Sequence, residues 1–485
     1  MQSIHAAALA LCLLAVPVTS PAPSHADDDG RFLWLSDIHL DMFYYDKSSP
    51  QAKREAQTTL KNLVDDSDPQ ALRWKDHSQW GPILDQSVTQ GGSYNARGSD
   101  ANHKLLQAVL DQASRVLHTP EFIVITGDHL GHDFGANYAA LAPTSMQTAA
   151  LYNDFATQTL AYIAKSVRDH FDHGAPIFAT LGNNDAYCGD YDIRLDQPDS
   201  TFLADTAATF LRYFLPDLSP DEEKAFRATF LEGGYYLADL PVGDDKQLVV
   251  LNSIPFMDSD HYPQDWSTYS GSKTICAKGE VLDPAKQLSW FTDLVDNGSG
   301  QAWVALHVPP GIGCYGSSKD WTADRLTTFK NAFLGDGGLS LAGTFAAHSH
   351  MDSFKLMRDG SGKAVSFVLQ GPSVSPNHSN NPSFRVVTYD PKDLHIVDHD
   401  THYIDLNTGW WSSFSFDETY GATAVDTESL EALYQAMVGG DAHAWELFVS
   451  GYTVRTRLCT DSIKTDCVSL GKLSAGNLEC IGSLE

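Results

Sequence analysis

The sequence predicts an α/β fold, in which short buried strands alternate with amphipathic helices. Five apolar runs are short enough to be buried strands, and the segments between them repeat apolar residues every three or four positions. Each run stops within a residue or two of a His, an Asp or an Asn. Folds of this class bind ligands at strand ends, so the same pattern also predicts a functional site.

The predicted elements follow one another along the chain. The strands are residues 32–35, 122–125, 177–181, 303–306 and 344–346. The helices, identified by their three-or-four spacing, are residues 105–117, 146–171, 288–295, 430–437 and 445–452. Strands and helices thus alternate up to about residue 346, and a helical pair follows near the end of the chain.

Residues 1–26 are predicted to be a signal peptide. Residues 7–18 form an apolar run about as long as a signal-peptide core and too short to cross a bilayer. Small residues precede a cleavage site after Ala26. No Lys or Arg precedes the run, so an uncleaved membrane anchor is the alternative. The mature chain is predicted to be exported and to have no transmembrane anchor.

Cysteine usage agrees with an oxidising compartment. Of the seven cysteines one lies in the predicted signal peptide, which leaves an even number, as is typical of disulfide-bonded exported proteins. All fifteen full pairings are open at this point. Residues 413–485 hold three of these cysteines and are predicted as a helical, disulfide-containing subdomain. Residues 27–412 are predicted as the catalytic domain, with the polar stretch 46–100 as an insertion or lid.

The charge balance excludes a protein that binds nucleic-acid duplexes. The formal net charge is −30 at pH 7. Duplex binders gain affinity when clustered Lys and Arg side chains release counterions from the phosphates, and the sequence has no such cluster.

Ligand-type residues follow all five predicted strands. In chain order they are Asp37 with His39, Asp128 with His132, Asn183 with Asn184, His307, and His348 with His350. One Asp or His after a strand is most often a cap or a hydrogen-bonded residue, but five such strand ends in one chain indicate a shared site. Nitrogen and oxygen donors without a thiolate suit Zn, Fe or Mn.

The order D-x-H, G-D, G-N, H and H-x-H over residues 32–352 resembles the calcineurin-like metallophosphoesterase superfamily. The resemblance implies a four-layer αββα sandwich and two divalent metal ions, with zinc preferred and Fe or Mn as alternatives. It places one ion on Asp37, His39, Asp128 and His350, and the other on Asp128, Asn183, His307 and His348. A metal-activated hydroxide would then attack phosphorus.

Further strings resemble the acid-sphingomyelinase-like phosphodiesterase branch. They are Asp37-Ile38-His39-Leu40-Asp41 with Tyr44, Asp128 with His132, Gly371-Pro372-Ser373, and Asn381-Pro382-Ser383-Phe384-Arg385. The resemblance also implies a disulfide between Cys276 and Cys314. Few residues separate the predicted cleavage site from Asp37, so the lipid-presenting domain of acid sphingomyelinase is not expected. We therefore expect a soluble nucleotide-, choline- or phospholipid-type substrate, with transient membrane-surface contact if the substrate is a lipid.

The chain departs from this branch at Asn184, where a histidine is usual. Asn184 is predicted to contact substrate; its amide can donate a hydrogen bond but cannot donate a proton. In one hypothesis His132 is the general acid of a phosphodiesterase. In a second, the substrate is a phosphoanhydride, as in endopolyphosphatases, which also have G-N-N-D. In a third, the protein is a catalytically weak metal or phosphate binder.

Two further predictions concern the substrate and the location of the protein. His378 lies on a loop that is predicted to reach the substrate. Secreted, periplasmic and lysosome-like locations stay open.

Overall fold

Fourteen strands and twelve α-helices make up the part of the chain described by this computed structural model. That part comprises residues 29–68, 71–171, 174–193, 201–257, 282–311, 320–335 and 337–456. The strands are β1 (Gly30–Leu35), β2 (Val64–Asp65), β3 (Arg73–Trp74), β4 (Ile123–Ile125), β5 (Ile177–Ala179), β6 (Tyr236–Asp239), β7 (Lys246–Val250), β8 (Gly300–Ala305), β9 (Leu339–Ala346), β10 (Ser353–Arg358), β11 (Ala364–Gln370), β12 (Ser383–Asp390), β13 (His395–Asp405) and β14 (Trp410–Ser415). The helices are α1 (Pro50–Asn62), α2 (Trp80–Asp85), α3 (His103–Val116), α4 (Phe134–Leu141), α5 (Ala149–His170), α6 (Phe202–Tyr213), α7 (Pro220–Gly233), α8 (Pro284–Asn297), α9 (Ala323–Leu334), α10 (Phe416–Tyr420), α11 (Thr427–Val438) and α12 (Ala442–Tyr452).

Two six-stranded sheets form the centre of the fold. The first has the order β14-β13-β12-β1-β4-β5 and the second β10-β11-β9-β8-β7-β6. In the first sheet β1, β4 and β5 are parallel neighbours. In the second, β7, β8, β9 and β11 are parallel. Within each parallel set the carboxyl ends of the strands lie at the same edge of the sheet. The predicted ligand residues come directly after these strand ends.

Aromatic side chains join the inner faces of the two sheets. Phe32 of β1 lies with its ring centroid 5.5 Å from Trp303 of β8 and 5.4 Å from Phe345 of β9. Tyr389 of β12 lies 5.0 Å from Trp303. All four side chains are buried. The sheets therefore pack face to face around an aromatic core.

Helices cover the outer faces and complete the layers. α3 packs on β12 of the first sheet, while α8 and α9 pack on β9 and β11 of the second. The five predicted strands correspond to β1, β4, β5, β8 and β9, and the first three predicted helices to α3, α5 and α8. The α/β prediction is confirmed. The alternation predicted up to residue 346 is incomplete, because α6 and α7 are consecutive and so are β6 and β7; beyond it, β10 to β14 follow one another with no helix between them.

The segment 46–100 is more ordered than its polar composition suggested. It contains α1, α2 and the ribbon β2–β3. Trp74 and Trp80 are buried, and their rings lie 4.5 and 5.4 Å from Phe155 of α5. These contacts fix the segment to the helical layer, and its role as an insertion or lid stays a prediction.

Near the other end of the chain, β14 runs across the predicted boundary at 412/413, and α10 begins at Phe416. The predicted helical pair corresponds to α11 and α12. The predicted signal peptide, Cys276, Cys314 and the last three cysteines lie outside the described residues. Among the described helices, none combines the length and apolar character needed to cross a bilayer.

Candidate metal centre

The strand ends of both sheets converge on one buried cluster of ligand-type side chains. Asp37 and His39 follow β1, Asp128 follows β4, and Asn183 follows β5. From the second sheet, His307 follows β8, and His348 and His350 follow β9. The structure thus brings together seven residues that are far apart in sequence and that the motifs had singled out.

Four of these residues form a first group of donors. His39 Nε2 lies 3.1 Å from His350 Nε2 and 3.3 Å from Asp128 Oδ2. Asp37 Oδ1 lies 3.7 Å from His350 Nε2 and 4.0 Å from His39 Nε2. The donor atoms of Asp37, His39 and Asp128 all lie within 4.8 Å of one another, a spacing that fits one shared cation.

A second group shares Asp128 with the first. His307 Nε2 lies 3.2 Å from Asp128 Oδ2 and 2.9 Å from Asn183 Oδ1. His348 Nδ1 lies 3.0 Å from the same Asn183 oxygen. Asp128 Oδ2 lies within 3.3 Å of a histidine from each group, so the two groups share this carboxylate.

Two glycines allow the loops that carry Asp128 and Asn183 to approach each other. A Cβ atom on Gly182 would lie 2.2 Å from the backbone nitrogen of Asp128, and one on Gly127 would lie 2.8 Å from the nitrogen of Gly182. Gly127 also has a φ of 88°. Both motif glycines are therefore required by backbone contact between the loops.

The backbone at the centre is unusual. Positive φ angles occur at Asp37 (43°), His39 (43°), Asp128 (54°), His348 (73°) and His350 (63°). A left-handed conformation at a residue other than glycine costs on the order of 1–3 kcal/mol and persists where its surroundings fix it, typically at functional sites. Five such residues in one cluster indicate that these loops are shaped to present side chains.

Backbone carbonyls set the tautomers of two histidines. His39 Nδ1 donates to the carbonyl oxygen of Leu130 at 2.9 Å, and His307 Nδ1 donates to that of Thr126 at 2.7 Å. With a proton held on Nδ1, the Nε2 atom of each ring faces the cluster. Outer hydrogen bonds of this kind are typical of metal-ligating histidines.

Burial and neighbouring charges shift the pKa values of several groups in the cluster. Burial raises the pKa of Asp37 to about 7 and lowers that of His39 to about 4 and that of His348 to about 3. Burial also disfavours the imidazolium form of His307, but the Asp128 carboxylate outweighs it and raises its pKa to about 9. The mixed nitrogen and oxygen donors, with neutral imidazoles among them, fit divalent metal ions.

The fold and the donor geometry agree with what comparison with known proteins finds. The calcineurin-like phosphoesterase family matches residues 30–352, two thirds of the chain and the whole span of the strand-end motifs. The chain belongs to this family. It is therefore a metal-dependent hydrolase of phosphate esters, as the sequence predicted.

Curated relatives of this calcineurin-like phosphoesterase are phosphodiesterases. Acid sphingomyelinase-like phosphodiesterase 3b of Homo sapiens is 22% identical over 87% of this chain and 83% of the relative. Sphingomyelinase phosphodiesterase D of Dictyostelium discoideum is 21% identical over 77% and 80%. Cyclic GMP-AMP phosphodiesterase SMPDL3A of Homo sapiens is 22% identical over 83% and 78%. The predicted resemblance to the acid-sphingomyelinase-like branch is confirmed.

His132 lies beside the metal ligands of this phosphoesterase and is held by an aspartate that sequence reasoning missed. Its ring stacks on His39 with centroids 4.1 Å apart, and its Nδ1 lies 2.9 Å from Asp100 Oδ1. Burial opposes its protonation, but Asp100 outweighs burial and raises the pKa of His132 to about 9. Its ring also lies next to the first donor group, because His39, His132 and His350 each offer a nitrogen atom within 4.8 Å of the other two.

Asp100 is itself fixed by a third loop. It accepts from the backbone N–H of His132 at 2.6 Å, from Asn377 Nδ2 at 2.8 Å and from Ser375 Oγ at 3.1 Å. Desolvation disfavours its charge, but His132 holds its pKa well below the ordinary value. Asp100 follows no predicted strand and belongs to the segment 46–100, so the strand-end argument could not find it.

Asn184 and the aspartate after it have separate roles. The backbone N–H of Asn184 donates to Asp128 Oδ1 at 2.8 Å, and its Nδ2 donates to Asp128 Oδ2 at 3.0 Å. Asp185 accepts from the backbone N–H groups of Gly182 and His129, both at 2.7 Å, and pairs with His129 Nδ1 at 3.0 Å. Asp185 thus ties together the two loops that carry Asp128 and Asn183. The predicted phosphate contact of Asn184 stays a prediction.

His378 reaches the edge of the centre, as its loop position predicted. Its ring lies 4.3 Å from His350 in an edge-to-face arrangement and 6.2 Å from His132. It is half-buried, and burial lowers its pKa to about 4, so it is neutral at pH 7. Contact with substrate stays a prediction for this residue.

Proposed function

We propose that this calcineurin-like phosphoesterase is an exported phosphodiesterase that cleaves small soluble diesters, with nucleotide-type diesters first among them. The observation that carries the proposal is the Asp100–His132 pair, in which the carboxylate holds Nδ1 at 2.9 Å and the ring lies beside His39 and His350. An alkoxide leaving group needs a proton, and this ring is placed to supply one.

In this proposal two divalent ions occupy the two donor groups. Asp37, His39, Asp128 and His350 hold one ion, and Asp128, Asn183, His307 and His348 hold the other. Zinc is the preferred identity, and iron or manganese also suits these donors. When bound, the two ions supply Lewis acidity, which makes water a better nucleophile at neutral pH and offsets charge on the phosphate oxygens.

The chain's own residues then position the substrate and move a proton. The bond between phosphorus and the leaving oxygen breaks as His132 Nε2 gives its proton to that oxygen, and Asp100 stabilises the imidazolium until transfer occurs. Asn184 holds the Asp128 carboxylate by two hydrogen bonds, which fixes the bridging position. His378 would form part of the wall against which the leaving group lies.

Relatives support the choice of substrate class. One of these relatives is a cyclic GMP-AMP phosphodiesterase, and another is a sphingomyelinase phosphodiesterase. Of these two classes a nucleotide diester is our choice, since several of the relatives are cyclic GMP-AMP phosphodiesterases. Choline- and phospholipid-type diesters, the latter with transient contact to a membrane surface, are the alternatives within the same reaction.

One observation favours a second candidate function, hydrolysis of phosphoanhydrides such as polyphosphate. Asn184 donates to Asp128 from its backbone N–H and from its side-chain Nδ2, and an amide cannot supply a proton. If His132 does not reach the leaving oxygen, Asn184 cannot take its place as proton donor, although it stands where a histidine is usual. Only a leaving group as acidic as phosphate would then depart readily.

A substrate panel tests the proposal. The purified mature chain is assayed on bis-p-nitrophenyl phosphate, cyclic GMP-AMP, CDP-choline, sphingomyelin, ATP and polyphosphate, at equal concentration and with zinc supplied. We expect the highest kcat/KM on nucleotide diesters. Cleavage confined to ATP and polyphosphate would favour the phosphoanhydride function instead. The absence of turnover on every substrate would favour a metal or phosphate binder.

A further inference from the structure

We propose that Asp190 and Tyr191 form a ligand clamp, a pair of adjacent side chains that orients Asn183 and His348 toward one of the two metal ions. The inference rests on the proposed dinuclear centre. Neither clamp residue belongs to the donor groups assigned above. Both act through a ligand and are therefore positioning residues.

The first half of the clamp sets the side-chain amide of Asn183. An amide can face a cation only with its oxygen, so its orientation decides whether it ligates. Asn183 Nδ2 donates to Asp190 Oδ1 at 2.5 Å. The opposite atom, Asn183 Oδ1, then faces inward, 2.9 Å from His307 Nε2 and 3.0 Å from His348 Nδ1. Asp190 thus holds the nitrogen outward and the oxygen toward the cation position.

The second half sets the tautomer of His348. The hydroxyl oxygen of Tyr191 lies 3.0 Å from His348 Nε2, and the two rings meet edge to face with centroids 5.9 Å apart. When the hydroxyl accepts from Nε2–H, the lone pair remains on Nδ1, the nitrogen that faces Asn183 Oδ1. Backbone carbonyls hold the rings of His39 and His307 in the same way, whereas the Tyr191 contact to His348 comes from a side chain.

Backbone hydrogen bonds and a left-handed residue fix the loop that carries Asp190 and Tyr191. The backbone N–H of Tyr191 donates to the carbonyl of Asn183 at 2.8 Å, which closes the loop back onto the ligand. Gly189 N–H donates to Ala186 O at 2.9 Å. Tyr191 has a φ of 59°, an unusual value for a bulky side chain and one that persists where function fixes it.

Loss of the clamp is expected to affect the binding of only one of the two metal ions. Asp190 and Tyr191 contact ligands of the ion held by Asn183, His307 and His348. The other ion, held by Asp37, His39 and His350, has no clamp residue on its own ligands among the described contacts. Loss of the clamp should therefore weaken one ion and leave the other tightly bound, with Asp128 still available to both.

Calorimetric titration of the metal-free protein with zinc tests this directly. We expect two ions per wild-type chain. In Tyr191→Phe and Asp190→Ala one ion should bind as in wild type and the other about 10- to 100-fold more weakly. Asp190→Asn keeps an oxygen that can accept from Asn183, so it should retain more affinity than Asp190→Ala. Tyr187→Phe is the matched control, because Tyr187 belongs to the same loop but its hydroxyl donates to Asp205 of α6 at 2.7 Å.

A double-mutant cycle separates positioning from a general structural role. If Tyr191 acts through His348, Tyr191→Phe should cause no further loss of zinc affinity in a His348→Ala background. Two tight ions in both Tyr191→Phe and Asp190→Ala would overturn the clamp while leaving the dinuclear centre intact. Equal loss in the Tyr187→Phe control would also overturn it. A wild-type chain that binds fewer than two ions would overturn the dinuclear centre itself, and the clamp with it.

Discussion

Asp100 holds His132 at two points: its Oδ2 accepts from the backbone N–H of His132 at 2.6 Å, and its Oδ1 lies 2.9 Å from the ring Nδ1. The two bonds fix both the loop and the ring, so Nε2 can point only toward the centre. The pair joins the segment 46–100 to the loop after β4, and it gives the proposed reaction its proton donor.

The loss of kcat on replacing His132 should depend on the acidity of the leaving group. We expect His132→Gln to lower kcat on cyclic GMP-AMP, whose leaving group is an alkoxide, by about 10²- to 10⁴-fold. On bis-p-nitrophenyl phosphate, which releases an acidic phenol, the loss should be much smaller. His170→Gln serves as the control, since His170 pairs with Asp111 at 3.3 Å far from the ligands. An equal loss on both substrates would rule out the general-acid role.

The pH profile should report on Asp100. A general acid must be protonated, so activity falls as the pH rises through its pKa, which Asp100 raises to about 9 for His132. Asp100→Asn removes the carboxylate and should move the alkaline limb of the kcat/KM profile to lower pH. The same raised pKa stabilises the fold fully below the ordinary value of 6.5, and that stabilisation is lost as the pH rises through about 9. An unmoved limb in Asp100→Asn would contradict the pairing.

Gly182→Ala tests the close approach of the two ligand loops. The added Cβ would lie 2.2 Å from Asp128 N and Oδ1, so the loops must separate. We expect a loss of about 1–3 kcal/mol or more in the free energy of unfolding, measured by urea denaturation. Gly360→Ala is the control, because nothing lies within 4 Å of its Cβ position. Equal stability of the two variants would show that the loops are not in contact.

The buried pair of Asp185 and His129 should be costly to break. Both side chains are essentially inaccessible to solvent. Asp185→Asn leaves His129 without its carboxylate and should lower the free energy of unfolding by about 3–5 kcal/mol. The exposed pair of Lys165 and Asp169 provides a comparison, since Asp169→Asn should change stability by less than about 1 kcal/mol. Urea denaturation of both variants measures the difference, and similar small losses would contradict the account.

The strand-end motifs could be predicted because each carries its ligand residue directly after an apolar run. Asp100 and Asn377 could not, because they come from loops that meet His132 only through tertiary packing. The strand β12 was also missed. It buries a guanidinium, that of Arg385, which pairs with Asp352 at 2.6 Å and lies 5.0 Å above the ring of Trp34. Such a strand does not show an apolar pattern, although its residues are almost all buried.

The central claim is metal-dependent cleavage of phosphodiesters, and the most direct test is turnover of cyclic GMP-AMP before and after metal removal. The purified chain is assayed as isolated, after exhaustive chelation, and after zinc is added back, with His307→Ala carried through the same steps. The account predicts that chelation abolishes turnover, that zinc restores it in the wild type, and that zinc fails to restore it in His307→Ala. Undiminished turnover by the chelated wild-type chain, or full recovery by His307→Ala, would contradict it.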